Sequence, residues 1–215
     1  GQPIPSPTLP GKARPRANAI IPPSGGGCTP PSTVAIKYTD FSDISNLCLQ
    51  GNALPATNAS SQAVLSLTSP MPIGQSGAAW YAGKVNVAGG FTTTFTFQIT
   101  PGTNPTADGI AFVIQNSALS ALGGGGCDIG YGGIPNSLAV EFDTFWNNSN
   151  GGYNFCGSYQ DPNANHVAVQ SLGSAPNSAS HDPAVGATLG GPFMPTVFMA
   201  DGNPHSVTMT YTPDP

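Results

Sequence analysis

Five side chains that can bind a metal ion lie within 26 residues of one another: Glu141, Asp143, Asn147, Asp161 and His166. Oxygen ligands with a single imidazole suit hard or borderline divalent cations. Glu141 and Asp143 stand two residues apart in an apolar segment, so a β-strand would project both side chains from the same face. The pattern therefore indicates a metal site on a strand and on the loop that follows it.

A cluster of acidic side chains can also form a salt-bridged strand end, but this chain is poor in cations. It has five lysines and arginines in total, and three of them, Lys12, Arg14 and Arg16, lie near the N-terminus. Neighbouring carboxylates without a counter-charge raise one another's pKa, and a bound divalent cation relieves that repulsion. The composition therefore favours a metal site over a salt-bridge network.

The elements that must position these ligands are predicted to be β-strands. Residues 138–145 are rich in β-branched and aromatic side chains, and 167–170 begin a second alternating strand. No segment has a convincing helical period, and the spacing favours an antiparallel jelly roll. The predicted strands span 34–38, 63–67, 78–87, 91–99, 109–115, 137–145, 167–172 and 205–211.

Three separated motifs resemble the legume-lectin-like (L-type) carbohydrate-binding domain: Ala107-Asp108-Gly109, Glu141-Phe-Asp-Thr-Phe-x-Asn147 and Asp161-Pro-Asn-x-x-His166. They occur in the family's order, and the resemblance covers about residues 34–211. The stretches 123–133 and 135–140 are most similar to bacterial members. The resemblance implies an all-β, concanavalin-like jelly-roll sandwich that here ends before the family's C-terminal strands.

The resemblance implies two metal positions in this domain. Glu141, Asp143, Asp161 and His166 match the ligands of a transition metal, usually Mn²⁺. Asp143, Asn147, Asp161 and the backbone carbonyl of Phe145 match the ligands of Ca²⁺. Asp143 and Asp161 would then bridge the two ions.

The resemblance also implies a carbohydrate site formed by Asp108, Gly126, Phe145 and Asn147. In the family, Asp108 would follow a cis peptide and accept hydrogen bonds from sugar hydroxyls, while Gly126 would donate its backbone N–H. Asn147 would donate its amide, and Phe145 would lie under the apolar face of the pyranose. An anionic acceptor, amide donors and an aromatic ring are what a sugar's hydroxyls and C–H face require.

A glycoside hydrolase is the enzymatic alternative, because laminarinase-like glucan hydrolases share the jelly roll. Their Glu-x-Asp-x-Glu or Glu-x-Asp-x-x-Glu motif supplies the two carboxylates that the reaction needs. Here Phe145 and Trp146 occupy the positions of the second glutamate, and Glu141 is the only glutamate in the chain. None of the three histidines lies near a nucleophile-elbow pattern. The sequence therefore predicts a binding protein, not an enzyme, with a glycan or polysaccharide as its partner.

Composition is typical of an extracellular binding module. Charged residues make up 7% of the chain and the formal net charge is −5, which argues against a nucleic-acid partner. No apolar run approaches the ~20 residues of a membrane span.

The four cysteines allow three pairings. On the implied fold, Cys127 in the glycine-rich loop and Cys156 in the metal-binding loop meet at one rim, which favours that pair. Cys28 would then pair with Cys48. Two disulfides predict an oxidising compartment, so the protein is expected to be secreted or on the cell surface.

Residues 1–32 are predicted to be a Pro- and Gly-rich arm that precedes a lectin-like domain at 33–215. The arm has nine prolines and too few apolar residues to fold alone. Because family members continue past the end of this chain, we expect either a longer native chain or completion by a homo-oligomer or a strand-complementing partner. A second interpretation stays open: a self-assembling extracellular filament or matrix protein built on a lectin fold.

Overall fold

The computed structural model describes residues 36–102, 106–150, 152, 156, 159–184, 186 and 188–214. In this part of the chain the regular structure is almost entirely β, with one short 3₁₀ turn at Gly126–Asp128. The strands are β1 (Leu47–Gly51), β2 (Leu54–Thr57), β3 (Ala63–Ser66), β4 (Gly77–Tyr81), β5 (Phe91–Phe97), β6 (Gly109–Gln115), β7 (Ser137–Asp143), β8 (His166–Gln170), β9 (Thr188–Phe193) and β10 (His205–Tyr211).

All pairings between these strands are antiparallel. The largest sheet has the order β6-β7-β8-β9, and β5 pairs with β10 across a long stretch of sequence. β1 pairs with β4, and β2 pairs with β3. The described regular structure is all-β and antiparallel, and β5 and β10 pair across a long stretch of sequence, in agreement with the predicted antiparallel jelly roll.

An aromatic core joins the β5–β10 pair to the large sheet. Phe97, Phe142 and Met199 are buried together, and the Phe95 ring meets the Phe142 ring edge-on with centroids 6.0 Å apart. The alternation of β5 confirms that its phenylalanines share one face. The threonines of the opposite face bond to hydroxyls of β10, as in Thr94 and Thr208 at 3.0 Å. This packing forms the sandwich.

A second core includes residues of the glycine-rich loop and its neighbours. Tyr131 and Ala139 are fully buried there, with Ile129, Ile134 and Ala179 around them. Trp80 packs against this cluster and donates its indole N–H to the carbonyl of Ala121 at 2.8 Å. Trp80 is therefore a residue of this core. β7 therefore contacts two different environments: Val140 and Phe142 face the sandwich, and Ala139 faces the loop.

Strand bounds follow the sequence prediction where alternation is strong. β6 and β10 have the predicted bounds, whereas β7 ends two residues early because the Phe145 N–H donates to the Asp143 carboxylate at 2.7 Å and turns the chain. The predicted strand 78–87 ends at Tyr81. Residues 36–38 are not a strand, and 34–35 lie outside the described residues.

Three strands were not predicted: β1, β2 and β9. Their sequences, Leu-Cys-Leu-Gln-Gly, Leu-Pro-Ala-Thr and Thr-Leu-Gly-Gly-Pro-Phe, each contain at most one β-branched residue and show no regular alternation. The proline of β9 is tolerated because β9 is the last strand of its sheet in the described order. Tertiary pairing, not local propensity, makes these strands.

The predicted arm, residues 1–32, lies outside the described residues, so its separation from the domain stays a prediction. Within the described ranges, no helix has the length and apolarity needed to cross a membrane.

Candidate metal and carbohydrate site

The strand pair β7–β8 brings three of the predicted metal ligands together. Glu141 and Asp143 lie on one face of β7, as their two-residue spacing predicts. The register places His166, the first residue of β8, directly opposite Asp143. All three side chains are buried.

The loop between β7 and β8 adds Asn147 and Asp161 to this face. The Asn147 N–H donates to the Asp161 carboxylate at 2.7 Å, and the Trp146 indole donates to the Asp161 carbonyl at 2.8 Å. Ligand atoms of Asp143, Asp161 and His166 all lie within 4.8 Å of one another. The five residues singled out in the sequence therefore converge in the structure.

Two unsatisfied oxygens fit a bound cation. Asn147 Oδ1 and Asp161 Oδ1 are buried and have no hydrogen-bond partner among the described residues. A buried polar atom without a partner costs about 1–3 kcal/mol. Both oxygens belong to the predicted calcium ligands, so the donor set fits a hard cation.

The electrostatics of the cluster also fit a cation. Burial, and then the charge of Asp161, raise the pKa of Asp143 well above its usual range. Burial raises the pKa of Asp161 to about 6. In the described part of the chain, no lysine or arginine forms an ion pair with these carboxylates. Positive charge at this position would stabilise both ionised groups.

Glu141 differs from the two aspartates. Burial by itself raises its pKa, but the imidazoles of His166 and His181 and the phenol of Tyr131 hold it at about 2. Burial and the charge of Glu141 raise the pKa of Tyr131, so the phenol stays protonated and donates to Glu141 Oε2. Glu141 is thus an ionised carboxylate whose orientation is fixed by hydrogen bonds.

His181 is a member of the cluster that the sequence reasoning missed. Ligand atoms of Glu141, His166 and His181 lie within 4.8 Å of one another, and His181 Nε2 is 2.9 Å from Glu141 Oε1. His181 lies 15 residues beyond His166, outside all three motifs. The only signal was that the chain has just three histidines.

Asp108 and Gly126, two predicted sugar-binding residues, face each other. The Ala107–Asp108 peptide is cis, as predicted. A Cβ on Gly126 would lie 3.9 Å from Asp108 Oδ2. Gly109 permits this arrangement, because a Cβ there would lie 2.4 Å from the Phe142 carbonyl oxygen. The Asp108 carbonyl accepts from the Thr144 N–H at 2.9 Å, which fixes the turn against the end of β7.

Phe145 and Asn147, the other two predicted sugar contacts, are buried. Their side chains are 6% and 1% exposed. Asn147 Nδ2 points at Cys127 Sγ, 3.1 Å away, and not at solvent. Their contacts with a sugar therefore stay predictions.

A disulfide lies next to Asn147. Cys127 and Cys156 are bonded as predicted, joining the glycine-rich loop to the loop after β7. Tyr159 makes a second link by donating to Asp128 Oδ1 at 2.7 Å. Cys48 is also disulfide-bonded, but Cys28, its predicted partner, lies outside the described residues.

The described residues thus form an antiparallel sandwich that has a buried cluster of carboxylates and imidazoles and a cis peptide before Asp108. Residues 38–214 match the model of the legume lectin beta-barrel domain, so the chain belongs to this family. It is 34% identical over 164 residues to a lectin-related protein of Cladrastis kentukea, covering 64% of this chain and 49% of that protein. A lectin of Leucomphalos mildbraedii is 30% identical over 154 residues, covering 64% of this chain and 60% of that one.

The solved structure of basic winged bean lectin with Tn-antigen is also similar, at 26% identity and a TM-score of 0.51. The match covers 77% of this chain and 64% of that chain. The chain thus spans about half the length of the first relative named above. These relatives are plant proteins, so the predicted likeness to bacterial members is not supported.

Proposed function

We propose that this protein binds carbohydrate through a site that depends on Ca²⁺ and a transition-metal ion, which the family resemblance predicts to be Mn²⁺. Membership of the lectin family implies carbohydrate binding. The observation that carries the metal dependence is the pair of unsatisfied buried oxygens on Asn147 and Asp161, within a cluster of carboxylates beside Asp108.

The residues divide into two ligand sets. Asp143, Asn147, Asp161 and the Phe145 carbonyl would hold Ca²⁺, and Glu141, Asp143, Asp161 and His166 would hold the transition metal. The bound ions would supply positive charge that stabilises the buried carboxylates. By fixing Asp143, they would also fix the Asp108 turn, because Gly109 of β6 is paired with Asp143.

Asp108 and Gly126 are the proposed first contacts with the sugar. Asp108 is half-buried and offers carboxylate oxygens to vicinal hydroxyls, while Gly126 leaves the space beside it free of a side chain. Phe145 and Asn147 would contact a sugar only if they became more exposed, because both are buried and the Asn147 amide contacts Cys127 Sγ.

Binding without hydrolysis is part of the proposal. Glu141 is hydrogen-bonded inside the cluster and fully buried, so it is poorly placed to attack a glycosidic bond. The named relatives are described as lectins or lectin-related proteins. Release of reducing sugar from a glycan identified on an array would contradict this part of the proposal.

A glycan array with and without chelator tests the main proposal. We expect binding to disappear in excess EDTA and to return when Ca²⁺ and Mn²⁺ are added back. Binding that is unchanged in EDTA would show that the cluster does not support the sugar site.

Secretion or display on the cell surface is a further part of the proposal. Its support is the Cys127–Cys156 disulfide, which is rare in reducing compartments. Alkylation and mass spectrometry of protein taken directly from its source cells would show both cysteines oxidised. Reduced thiols in that material would contradict an extracellular location.

Self-association is a second candidate, favoured by an apolar surface at the β9 edge. Leu189, Phe193, Met194, Val197 and Phe198 are each more than half exposed. Sedimentation velocity of the wild type and of Phe193→Ser would test it. A monomer in both cases, across micromolar concentrations, would rule out this surface as an interface.

A further inference from the structure

We propose that His181 is a direct metal ligand, so that the transition-metal position of this chain carries two imidazoles and prefers Zn²⁺ to Mn²⁺. The inference rests on the metal site of the proposed function and changes its ion. None of the sequence motifs includes His181, and its place in the cluster comes from the fold alone.

Three ligand atoms form a compact triangle. His181 Nε2 lies 2.9 Å from both Glu141 Oε1 and His166 Nε2, and His166 Nε2 lies 3.7 Å from Glu141 Oε1. Ligands at about 2.0–2.1 Å from a tetrahedral zinc ion stand about 3.3 Å apart. The observed spacings bracket that value, so a metal ion fits at this triangle with little movement of the side chains.

Each of these ligands is oriented by a second contact. His166 Nδ1 is 3.0 Å from the Asn163 carbonyl oxygen, which can only accept, so a metal-bound His166 would donate from Nδ1 and coordinate through Nε2. His181 Nδ1 lies 3.4 Å from Thr188 Oγ1. Glu141 accepts hydrogen bonds from Tyr131 and Gln170. Such outer contacts are typical of metal ligands.

The loop after β8 holds His181 in place. The His181 N–H donates to the Tyr159 carbonyl at 2.6 Å, and Asn177, earlier in the loop, donates to Ser137 Oγ at 3.1 Å. The His181 side chain is 6% exposed, and its ring centroid is 4.7 Å from that of His166. Two imidazoles are thus packed edge to face against one carboxylate, in the interior.

A shared proton is the alternative explanation for the short contact between the imidazoles. A protonated His181 would donate to Glu141 and His166 without any metal. The second ligand group favours the metal, because Asp143 and Asp161 come within 4.8 Å of the same His166 and bring two further carboxylates. One proton cannot offset so many buried carboxylates, whereas a divalent ion adds two positive charges.

The second imidazole predicts the choice of ion. Carboxylate oxygens suit Mn²⁺, whereas imidazole nitrogen suits Zn²⁺ and other late first-row ions, which also lie higher in the general affinity order. Adding a second imidazole nitrogen to the implied Mn²⁺ ligands therefore favours Zn²⁺. We expect the chelator-stripped protein, with Ca²⁺ present, to bind Zn²⁺ about tenfold or more tightly than Mn²⁺.

X-ray absorption of the zinc-loaded wild type tests the ligand count directly. The multiple-scattering signal of imidazole should fit two histidines per zinc ion. A fit with one histidine, or no zinc bound at all, would overturn the proposal. This measurement needs no variant, so it does not depend on whether a substituted protein folds.

His181→Gln, with His205→Gln as its matched control, tests the selectivity. Glutamine keeps a hydrogen-bond donor near Glu141 but offers oxygen in place of nitrogen. We expect Zn²⁺ affinity to fall about 10- to 100-fold and Mn²⁺ affinity to change much less. His205 bonds to Asp201 outside the cluster, so its variant should match the wild type. Equal Zn²⁺ affinity in wild type and a folded His181→Gln would overturn the proposal.

The outcome is separable from that of the carbohydrate proposal. Two imidazoles on zinc with no glycan bound would leave His181 as a ligand and remove the lectin function. Metal-dependent glycan binding by a protein with one histidine per zinc ion would support the lectin function and remove His181 as a ligand.

Discussion

The two faces of the seven-residue strand β7 make different kinds of interaction. Val140 and Phe142 pack into the aromatic core of the sandwich, where burial of apolar surface stabilises them. Glu141 and Asp143 project the other way into a buried cluster of carboxylates and imidazoles, which fits a cation. The difference shows that the alternation of side chains can place apolar core residues on one face of a strand and a polar cluster on the other. Single substitutions on each face should therefore have effects of different kinds.

The largest effect on stability is expected from the sandwich face. Phe142→Ala removes a ring that contacts both Phe95 and Phe97, and should lower the free energy of unfolding by about 3–5 kcal/mol. The loss should be the same with and without EDTA, as measured by urea unfolding. Thr94→Ala, on the exposed face of β5, is the control and should change little. If Phe142→Ala lowered the free energy of unfolding only in the metal-loaded protein, the two faces of β7 would not be energetically independent.

The metal face should give a smaller loss that depends on the ion. Asp143→Asn should abolish the stabilisation by metal, which is about 2.7 kcal/mol at a ligand concentration 100 times Kd. In EDTA the variant should be at least as stable as the wild type, because Asp161 no longer faces a second buried carboxylate. Thermal melts with metal analysis would check both statements. A variant that keeps its metal content and its metal-dependent melting shift would show that Asp143 is not a ligand.

The same contrast explains how much could be predicted from the sequence. The convergence of the proposed ligands on β7 and β8, and the bounds of β6 and β10, follow from period-two alternation and short spacings, which are local properties. His181 could not be predicted, since it reaches the cluster through a loop anchored by Asn177 and Tyr159.

The burial of Phe145 and Asn147 also depends on tertiary structure. The loop between β7 and β8 is tied to the glycine-rich loop by Cys127–Cys156, and Asn147 contacts that disulfide. The spacing of the proposed ligands predicted that the two residues belong to the site, but it held no information on how deeply they are buried. Strand β9 was not predicted for a related reason: its two glycines and its proline have low strand propensity, so its pairing with β8 cannot be inferred locally.

A backbone effect of intermediate size is expected at the edge of the site. Gly126 has a φ of 65°, so Gly126→Ala should cost about 1 kcal/mol of stability. The added methyl would point towards Asp108 Oδ2 and should weaken glycan binding. Gly133→Ala is the control, with a φ of 91° and open space around its Cβ position, so it should lose similar stability and no binding. Equal glycan affinity in both variants would remove Gly126 from the site.

The smallest effect on stability should accompany the largest effect on binding, at Asp108. The described hydrogen bonds of this residue use its backbone carbonyl, which accepts from the N–H and Oγ1 of Thr144, so changing the side chain removes none of them. Burial raises the pKa of Asp108, so replacing the carboxylate with an amide should not destabilise the fold. The free energy of unfolding of Asp108→Asn should therefore lie within about 0.5 kcal/mol of the wild-type value, and the variant should keep its metals.

Glycan binding by Asp108→Asn should nevertheless be abolished, because an amide presents two donors where sugar hydroxyls need an anionic acceptor. Asp40→Asn, a change at an exposed aspartate that bonds only to Ser42 in the described part of the chain, is the control for loss of charge. Titration calorimetry with a glycan identified on the array would measure both. If Asp108→Asn bound that glycan as tightly as Asp40→Asn, the metal face of β7 would have to support recognition at another surface.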